Sequence, residues 1–250
     1  MTTRAEFVAR IRGEMARAAA LFPAAPAERP ARPRERLDVL RRELSERWPQ
    51  TLDRFRVEFE RVGGVFHRVA SAAEVPALLE RLCRERHARS VVTWAAPALG
   101  VDVAPALEAA GIGVETMPHG VPQDAERERL RERVARADVG VTGADLAIGE
   151  TGTLVLRAAA GRPRSTSLLP PCHVAVFDRG ALVETLEQVG IALEAWHDGP
   201  PAPGRGAVIN FITGPSRTAD IELTLTRGVH GPKEVHAVLV DEGLRVTDGE

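Results

Sequence analysis

The sequence has little cysteine, little lysine and no long apolar run. Its two cysteines, Cys83 and Cys172, stand far apart among 250 residues and match no CxxC pattern. Two thiols cannot supply the four ligands of an iron–sulfur cluster or a zinc ribbon, so this chain by itself holds neither. Scattered thiols are also more typical of a reducing cytosol than of a disulfide framework.

Signatures of membrane, secreted and nucleic-acid-binding proteins are missing too. No apolar run approaches the roughly 20 residues that cross a bilayer, and four charged residues interrupt the first helical segment: Arg10, Arg12, Glu14 and Arg17. The formal net charge is −2, which provides no basic surplus for nucleic acid or an anionic membrane. We therefore expect a soluble cytoplasmic protein with no nucleic-acid partner and no membrane insertion.

The spacing of apolar residues divides the chain into a helical N-terminal arm, residues 1–62, and an α/β domain, residues 63–250. In the arm it predicts a helix over 4–20, a Pro-rich linker, a helix that stops before Pro49, and a further helix ended by a Gly-Gly pair. The arm either packs on a partner or caps the chain's own sheet.

In the second part, short apolar strands alternate with helical segments. This alternation predicts a mostly parallel, Rossmann-like sheet with helices on both faces. The strands are expected at 65–69, 90–94, 113–116, 139–148, 153–158, 173–177, 207–213 and 235–240, and the helices at 71–87, 97–110, 124–136 and 181–195. Only a tight turn separates 139–148 from 153–158, so these two strands are expected to form a hairpin.

The first dense polar motif is that tight turn, Glu150-Thr151-Gly152-Thr153. A carboxylate shielded by apolar neighbours at a strand end can act as nucleophile, general base or hydrogen-bond acceptor. The glycines around it allow a ligand to come close to the backbone. Glu150 is therefore the candidate catalytic residue. The structural alternative is that Glu150 caps a turn or pairs with Arg164.

A basic loop and a histidine follow. The segment 161–167 offers two guanidiniums, Arg162 and Arg164, and three hydroxyls, a set that suits a phosphate or carboxylate unless the arginines are solvated. His173, at the start of the next strand, is either a ligand or acid–base group, or a histidine bonded to the backbone.

The second motif runs from Thr213 to Asp220 and predicts a strand, a sharp turn and the start of a helix. Ser216 or Thr218 would cap that helix, and its exposed amides together with Arg217 would bind an anion. An arginine at a helix start opposes the helix dipole, which favours an anionic ligand or an acidic partner such as Glu150. The candidate ligand-binding residues are Gly214, Pro215, Ser216, Arg217, Thr218 and Asp220.

The third motif, Gly228 to Lys233, is a turn that contains the single lysine of the chain. His230, Gly231 and Lys233 would face the ligand, with Lys233 as an anion clamp or, if desolvated, a Schiff-base lysine. A metal set of His173, His230, His236 and Asp220 lacks familiar ligand spacing, and a Ser216–His230–Asp220 triad lacks a nucleophile elbow. No metal site is predicted.

The three motifs, in this order and spacing, resemble the LUD domain of the lactate utilization protein C family (LutC/YkgG). The matching segments are 137–142, 147–154, 168–170 with His173, 214–222 and 228–232. The resemblance implies an α/β fold similar to the NagB/RpiA/CoA-transferase group. It also implies a part in oxidising L-lactate to pyruvate, alongside partner subunits that carry iron–sulfur clusters, with no cofactor in this chain.

Three functional hypotheses follow from the motifs and the resemblance. The first is a non-cluster subunit of a lactate-oxidising complex, in which the motifs hold a small carboxylate or phosphorylated ligand. The second is a stand-alone CoA-transferase-like or sugar-phosphate-isomerase-like enzyme that uses Glu150. The third is a regulatory or assembly module that acts through the N-terminal helices. Whether the chain is itself an enzyme stays open at this point.

Overall fold

A six-stranded, all-parallel sheet forms the centre of the structure. The structure is a computed structural model, and it describes residues 3–18, 32–120, 122–199, 205–219 and 225–246. The strands, numbered along the chain, are β1 (Val65–Val69), β2 (Ser90–Thr93), β3 (Gly113–Thr116), β4 (Val139–Gly143), β5 (Leu146–Ile148), β6 (Thr153–Ala159), β7 (Cys172–Asp178), β8 (Leu182–Val183), β9 (Arg205–Ile212), β10 (Arg217–Ala219), β11 (Leu225–Arg227) and β12 (Glu234–Val240). The helices are α1 (Arg4–Ala18), α2 (Pro33–Arg61), α3 (Val75–Glu85), α4 (Ala96–Leu99), α5 (Ala104–Ala109), α6 (Asp124–Arg136), α7 (Ser165–Leu168) and α8 (Leu186–Trp196).

The strand order of this sheet is β1-β12-β7-β4-β2-β3, and every neighbouring pair is parallel. After β2 the chain adds β3 at the sheet edge, then returns past β2 to add β4, β7 and β12 on the other side. The winding direction therefore reverses between β2 and β4. The predicted α/β class with a mostly parallel sheet is confirmed.

Two apolar layers cover the two faces of this sheet. One layer is formed by α3 and α5, whose leucines pack on valines of the central strands. The other is formed by the second half of α2, by α6 and by one face of β6. A four-stranded sheet, β8-β5-β6-β9, lies on that second side, and its outer face packs on the first half of α2 and on α8. Side chains alternate along β6: Leu154 and Leu156 face the core against the parallel sheet, and Val155 faces the core under α8. β6 therefore contributes to both cores.

The helix predicted to stop before Pro49 does not stop there. α2 continues through Pro49 to Arg61, because the apolar residues on either side of the proline lie on one buried face. These are Leu37, Leu40, Leu44, Leu52, Phe55 and Phe59. Phe55 and Phe59 are fully buried and stacked with ring centroids 5.2 Å apart. Their burial stabilises by roughly 1.5–3 kcal/mol each, enough to offset the cost of about 3 kcal/mol for a proline inside a helix. Residues 33–61 thus line the chain's own core.

Three other predicted elements differ from the observed ones, each for a local reason. The expected strand 139–148 is divided between β4 and β5, because Asp145 turns the chain by accepting a hydrogen bond from Arg157 N at 2.7 Å. The expected helix 97–110 is two short helices separated at Gly100, whose φ is +80°. The expected helix 181–195 begins only at Leu186, after Thr185 accepts a hydrogen bond from Gln188 N.

The predicted helix start near residue 216 is wrong. Residues Arg217–Ala219 form β10, which pairs antiparallel with β11. Both backbone groups of Ser216 are bonded, since its carbonyl accepts from Gly228 N at 3.0 Å next to the hairpin and its N–H donates to Pro232 O at 2.9 Å in the loop before β12. These bonds hold the chain extended where a helix would have to begin.

Candidate functional site

The Glu150–Thr153 turn connects β5 to β6 and is held by its own neighbours. Glu150 Oε2 accepts a hydrogen bond from Leu186 N at 3.0 Å, at the first residue of α8. A carboxylate at this position satisfies a free amide and is attracted by the positive end of the helix dipole. Among the described side chains, Glu150 forms no ion pair with Arg164. Glu150 therefore caps α8, whereas the structural alternative expected from the sequence was a turn cap or an ion pair with Arg164; its catalytic role stays a prediction.

The rest of the turn packs against α2. Gly152 has a φ of +61°, and a methyl group there would lie 2.6 Å from Phe59 Cα. The Thr153 hydroxyl is bonded to those of Thr151 (2.7 Å) and Thr213 (2.8 Å). The close approach of α2 thus explains the glycine at 152, and the hydrogen bond between Thr153 of β6 and Thr213 after β9 explains the threonine.

Ser216 brings the second and third motifs together. Besides its two backbone bonds, its hydroxyl accepts a hydrogen bond from His230 N at 3.2 Å. Gly231 lies beside the same serine, and Lys233 N donates to Pro171 O at 2.8 Å. The side chains of His230 and Lys233 are exposed. The two motifs form one network of turn contacts, which fixes the loop that enters β12.

Arg217 has a partner that needs no anionic ligand. Its guanidinium donates to Val62 O, at the C-terminal end of α2, where free carbonyls favour a cation. Gly214, with a φ of +73°, and the buried Pro215 form the turn before it, and Thr218 lies in β10. The expectation that Arg217 opposes a helix dipole is wrong, because no helix starts there. Asp220 lies outside the described residues.

His173 is completely buried, and its Nε2 lies 2.8 Å from the Thr142 hydroxyl. Burial lowers the pKa of His173 to about 3, so the ring is neutral at physiological pH. Arg164 is exposed, and its carbonyl accepts hydrogen bonds from Ser167. Neither residue is placed to bind a ligand together with Glu150.

An open cleft of about 790 Å³ lies elsewhere, between α2 and the carboxyl ends of the parallel strands. It lies across the point where the winding direction reverses, the place where open α/β sheets hold their ligands. The residues that follow β2, β4, β7 and β12 contribute Trp94, Ala144, Asp145, Arg179, Gly180, Gly243, Leu244 and Val246, and α2 contributes Leu37, Leu40, Arg41, Leu44, Ser45 and Trp48. Of the candidate residues that the structure describes, only Arg162, one of the two loop arginines, lines this cleft. His173, His230 and Lys233 lie at the opposite end of the sheet, where β7 and β12 begin.

A buried charged group forms part of the cleft wall. The Asp145 carboxylate pairs with Arg157, at 2.8 Å, and with Arg162, at 3.4 Å. Arg162 is only 5% exposed and lies over the Trp94 ring, 5.7 Å from its centroid. Arg157 stacks on Trp196 at 4.4 Å. Paired and stacked guanidiniums hold a fixed geometry, so this wall can present a preformed positive charge to an anion.

The sequence interpretation missed Trp94, Asp145 and Arg157 because it gave weight to local polar density. Trp94 and Asp145 are isolated in the sequence, whereas Arg162 belongs to the basic loop 161–167 that was expected to suit a phosphate or carboxylate. For Trp94 a usable signal existed, because it ends the strand expected at 90–94 and the carboxyl ends of parallel strands are where ligands bind. Asp145 had no such signal, because it lay inside the strand expected at 139–148.

One cluster on the opposite side has metal-ligating side chains. Cys172, Glu234 and His236 place a ligand atom each within 4.8 Å of one another. The Arg86 guanidinium already occupies the group, 2.7 Å from Glu234 Oε2 and 3.0 Å from His236 Nε2. Burial also raises the pKa of the Cys172 thiol to about 12. A resident cation opposes metal binding, so we interpret the cluster as a structural ion-pair network.

Comparison with known proteins gives one consistent family. A family model of the LUD domain matches residues 52–240. "Lactate utilization protein C" of Halalkalibacterium halodurans is 36% identical over 166 residues, which cover 66% of this chain and 68% of that protein. The protein of the same name from Exiguobacterium is 43% identical over 119 residues, and the match spans half of its length. A crystal structure of a DUF162 family protein from Deinococcus radiodurans covers 77% of this chain, at 23% identity and a TM-score of 0.49. Of the helices described, none is both long and apolar enough to cross a membrane.

Proposed function

The chain belongs to the LUD domain family, and from this premise we propose that it serves in lactate utilization. In this proposal it is a cytoplasmic subunit of a system that oxidises L-lactate to pyruvate, and it carries no iron–sulfur cluster itself. The observation that supports this most is the likeness to proteins named lactate utilization protein C, at 36% and 43% identity.

The two cysteines of the chain support the proposal that the iron–sulfur clusters lie on other subunits. Cys83 and Cys172 are both buried, and burial raises their pKa values to about 11 and about 12. Cluster ligation needs thiolates, four of them for the common cluster types. The electrons released by lactate would therefore pass to clusters on partner subunits.

The test is purification of the tagged chain from its native host, grown on L-lactate. The eluate is assayed for iron and for L-lactate-dependent reduction of an acceptor dye, beside the same chain purified alone from a heterologous host. We expect iron and dye reduction in the first sample and neither in the second. Lactate oxidation by the isolated chain, or an iron-free and inactive eluate from the native host, would contradict the proposal.

A stand-alone CoA-transferase-like or isomerase-like enzyme using Glu150 is not favoured by the geometry. The Glu150 carboxylate is bonded to the start of α8 and lies outside the described cleft. A nucleophile or base must instead be within hydrogen-bond reach of a bound substrate.

A further inference from the structure

The cleft is much larger than lactate requires. Its volume is about 790 Å³, whereas lactate takes the room of a few water molecules at about 30 Å³ each. Cavities of roughly 300–1,000 Å³ hold drug-sized ligands. The occupant for which this cleft has room is therefore several times larger than lactate or pyruvate.

The cleft walls offer an apolar and aromatic surface. Leu40, Leu44 and Trp48 come from α2, and Trp94 comes from the end of β2. Trp94 is 2% exposed, so the surrounding core fixes its ring, and the partly exposed Trp48 offers the larger accessible aromatic surface. Large fixed rings next to aliphatic side chains favour a planar or otherwise apolar body.

The lining is also positively charged. Of the described residues around the cleft, four are arginines and two are aspartates: Arg41, Arg157, Arg162, Arg179, Asp145 and Asp178. The Asp178 carboxylate accepts hydrogen bonds from Gly180 N (2.8 Å) and Leu244 N (2.6 Å), so it mainly closes the loops at the cleft edge. The positive surplus favours an anionic group on the ligand, and Arg162 offers a buried, oriented guanidinium for it.

We propose that this cleft binds an organic anion of nucleotide or cofactor size, with its planar or apolar body near Trp94 and its phosphate or carboxylate on Arg162. The position agrees with this, because nucleotides bind at the reversal point of doubly wound sheets. The inference goes beyond the proposed function, since it holds whichever reaction the chain serves. It also places the ligand at the opposite end of the parallel sheet from the third motif.

The test measures the melting temperature of the full chain with FMN, NAD⁺, ADP and coenzyme A, and with L-lactate and pyruvate as small-anion probes. We expect at least one of the four larger anions to raise the melting temperature by about 5–10 °C when present at 100 times its Kd. Lactate and pyruvate should give no comparable shift. If none of the four larger anions raises the melting temperature, or if only lactate or pyruvate does so, the proposal is wrong.

Three variants locate the binding. Arg162→Gln removes the anion contact, and Ser45→Trp fills the cleft from the exposed face of α2 while leaving the Asp145 ion pairs intact. Arg164→Ala, outside the cleft, is the matched control. We expect the ligand-induced shift to persist in the control and to vanish in Ser45→Trp, even if Arg162→Gln folds poorly. A full shift in Ser45→Trp would show that the ligand binds elsewhere.

Discussion

Replacing Gly152 by alanine tests whether the Glu150–Thr153 turn packs closely on α2. Gly152 adopts a φ of +61°, and an added methyl group would lie 2.5 Å from the Glu58 carbonyl carbon and 2.6 Å from Phe59 Cα. Both contacts are with helix backbone, which cannot rotate away as a side chain can. The turn and α2 would have to separate, and the core beneath Phe59 would loosen.

The magnitude has two parts. A left-handed backbone costs a non-glycine residue about 1–2 kcal/mol. Overpacking against fixed atoms costs a further 1–3 kcal/mol, approximately. Gly111 provides a matched control, because its φ is +80° and no heavy atom lies within 4 Å of the position of its added methyl. We expect about 2–5 kcal/mol of destabilisation for Gly152→Ala, and only about 1–2 kcal/mol for Gly111→Ala.

Urea unfolding of the two variants, followed by far-ultraviolet circular dichroism, measures this difference. The midpoint should fall further for Gly152→Ala, with an unchanged slope if the denatured states are alike. Equal losses in the two variants would refute the close packing of the turn on α2.

Three further predictions follow from buried or capping groups. Burial raises the pKa values of Cys83 and Cys172 to about 11 and about 12. We therefore expect the native protein to resist a thiol reagent at pH 8 and to react fully in denaturant. Rapid labelling of the native protein would contradict the burial of these thiols. The pKa values of His173 and His236 are lowered to about 3 and about 4, chiefly by burial. Below pH 6.5 the unfolded chain therefore binds protons that the native state does not bind. As a result, the free energy of unfolding, measured by urea titration, should fall by about 2 kcal/mol per histidine between pH 6.5 and 5. A flat profile over that range would contradict this. Glu150→Gln keeps an oxygen acceptor for the first amide of α8, so it should lower the free energy of unfolding by less than about 1 kcal/mol by the same method. A loss of several kcal/mol would show that the charge of Glu150 matters for more than capping α8.

The sheet could be predicted because its strands are short apolar runs bounded by glycine, proline and helical segments. Val65–Val69 and Gly113–Thr116 begin and end as expected, and the strand at 235–240 is extended by one residue. The failures occurred where distant packing decides the local structure. Pro49 would end an isolated helix, but residues on both sides of it are buried in one core.

The second motif shows why similar residues can predict the wrong element. Serine and threonine after Gly-Pro are typical of a helix N-cap, and they are equally suited to a turn. Their hydrogen-bond partners decide the outcome. For Ser216 these partners are Gly228, His230 and Pro232, which a local pattern does not reveal.

The cleft could not be found from polar density, because its charged and aromatic residues come from separate parts of the chain. Trp94 follows β2, Asp145 follows β4, and Arg162 lies in the loop before α7. The dense motifs instead mark turns whose small residues and hydroxyls satisfy backbone groups. The dense polar motifs and the proposed binding cleft therefore lie in different parts of this fold.

Growth on L-lactate tests most directly whether the cleft, and not the polar motifs, is the functional site. A native host lacking this chain is complemented with Ser45→Trp, Arg162→Gln, Glu150→Gln or Lys233→Ala, and protein levels are checked. We expect Glu150→Gln and Lys233→Ala to restore growth, and the two cleft variants to fail at normal protein levels. Growth with both cleft variants and failure with Glu150→Gln would contradict the cleft as the functional site.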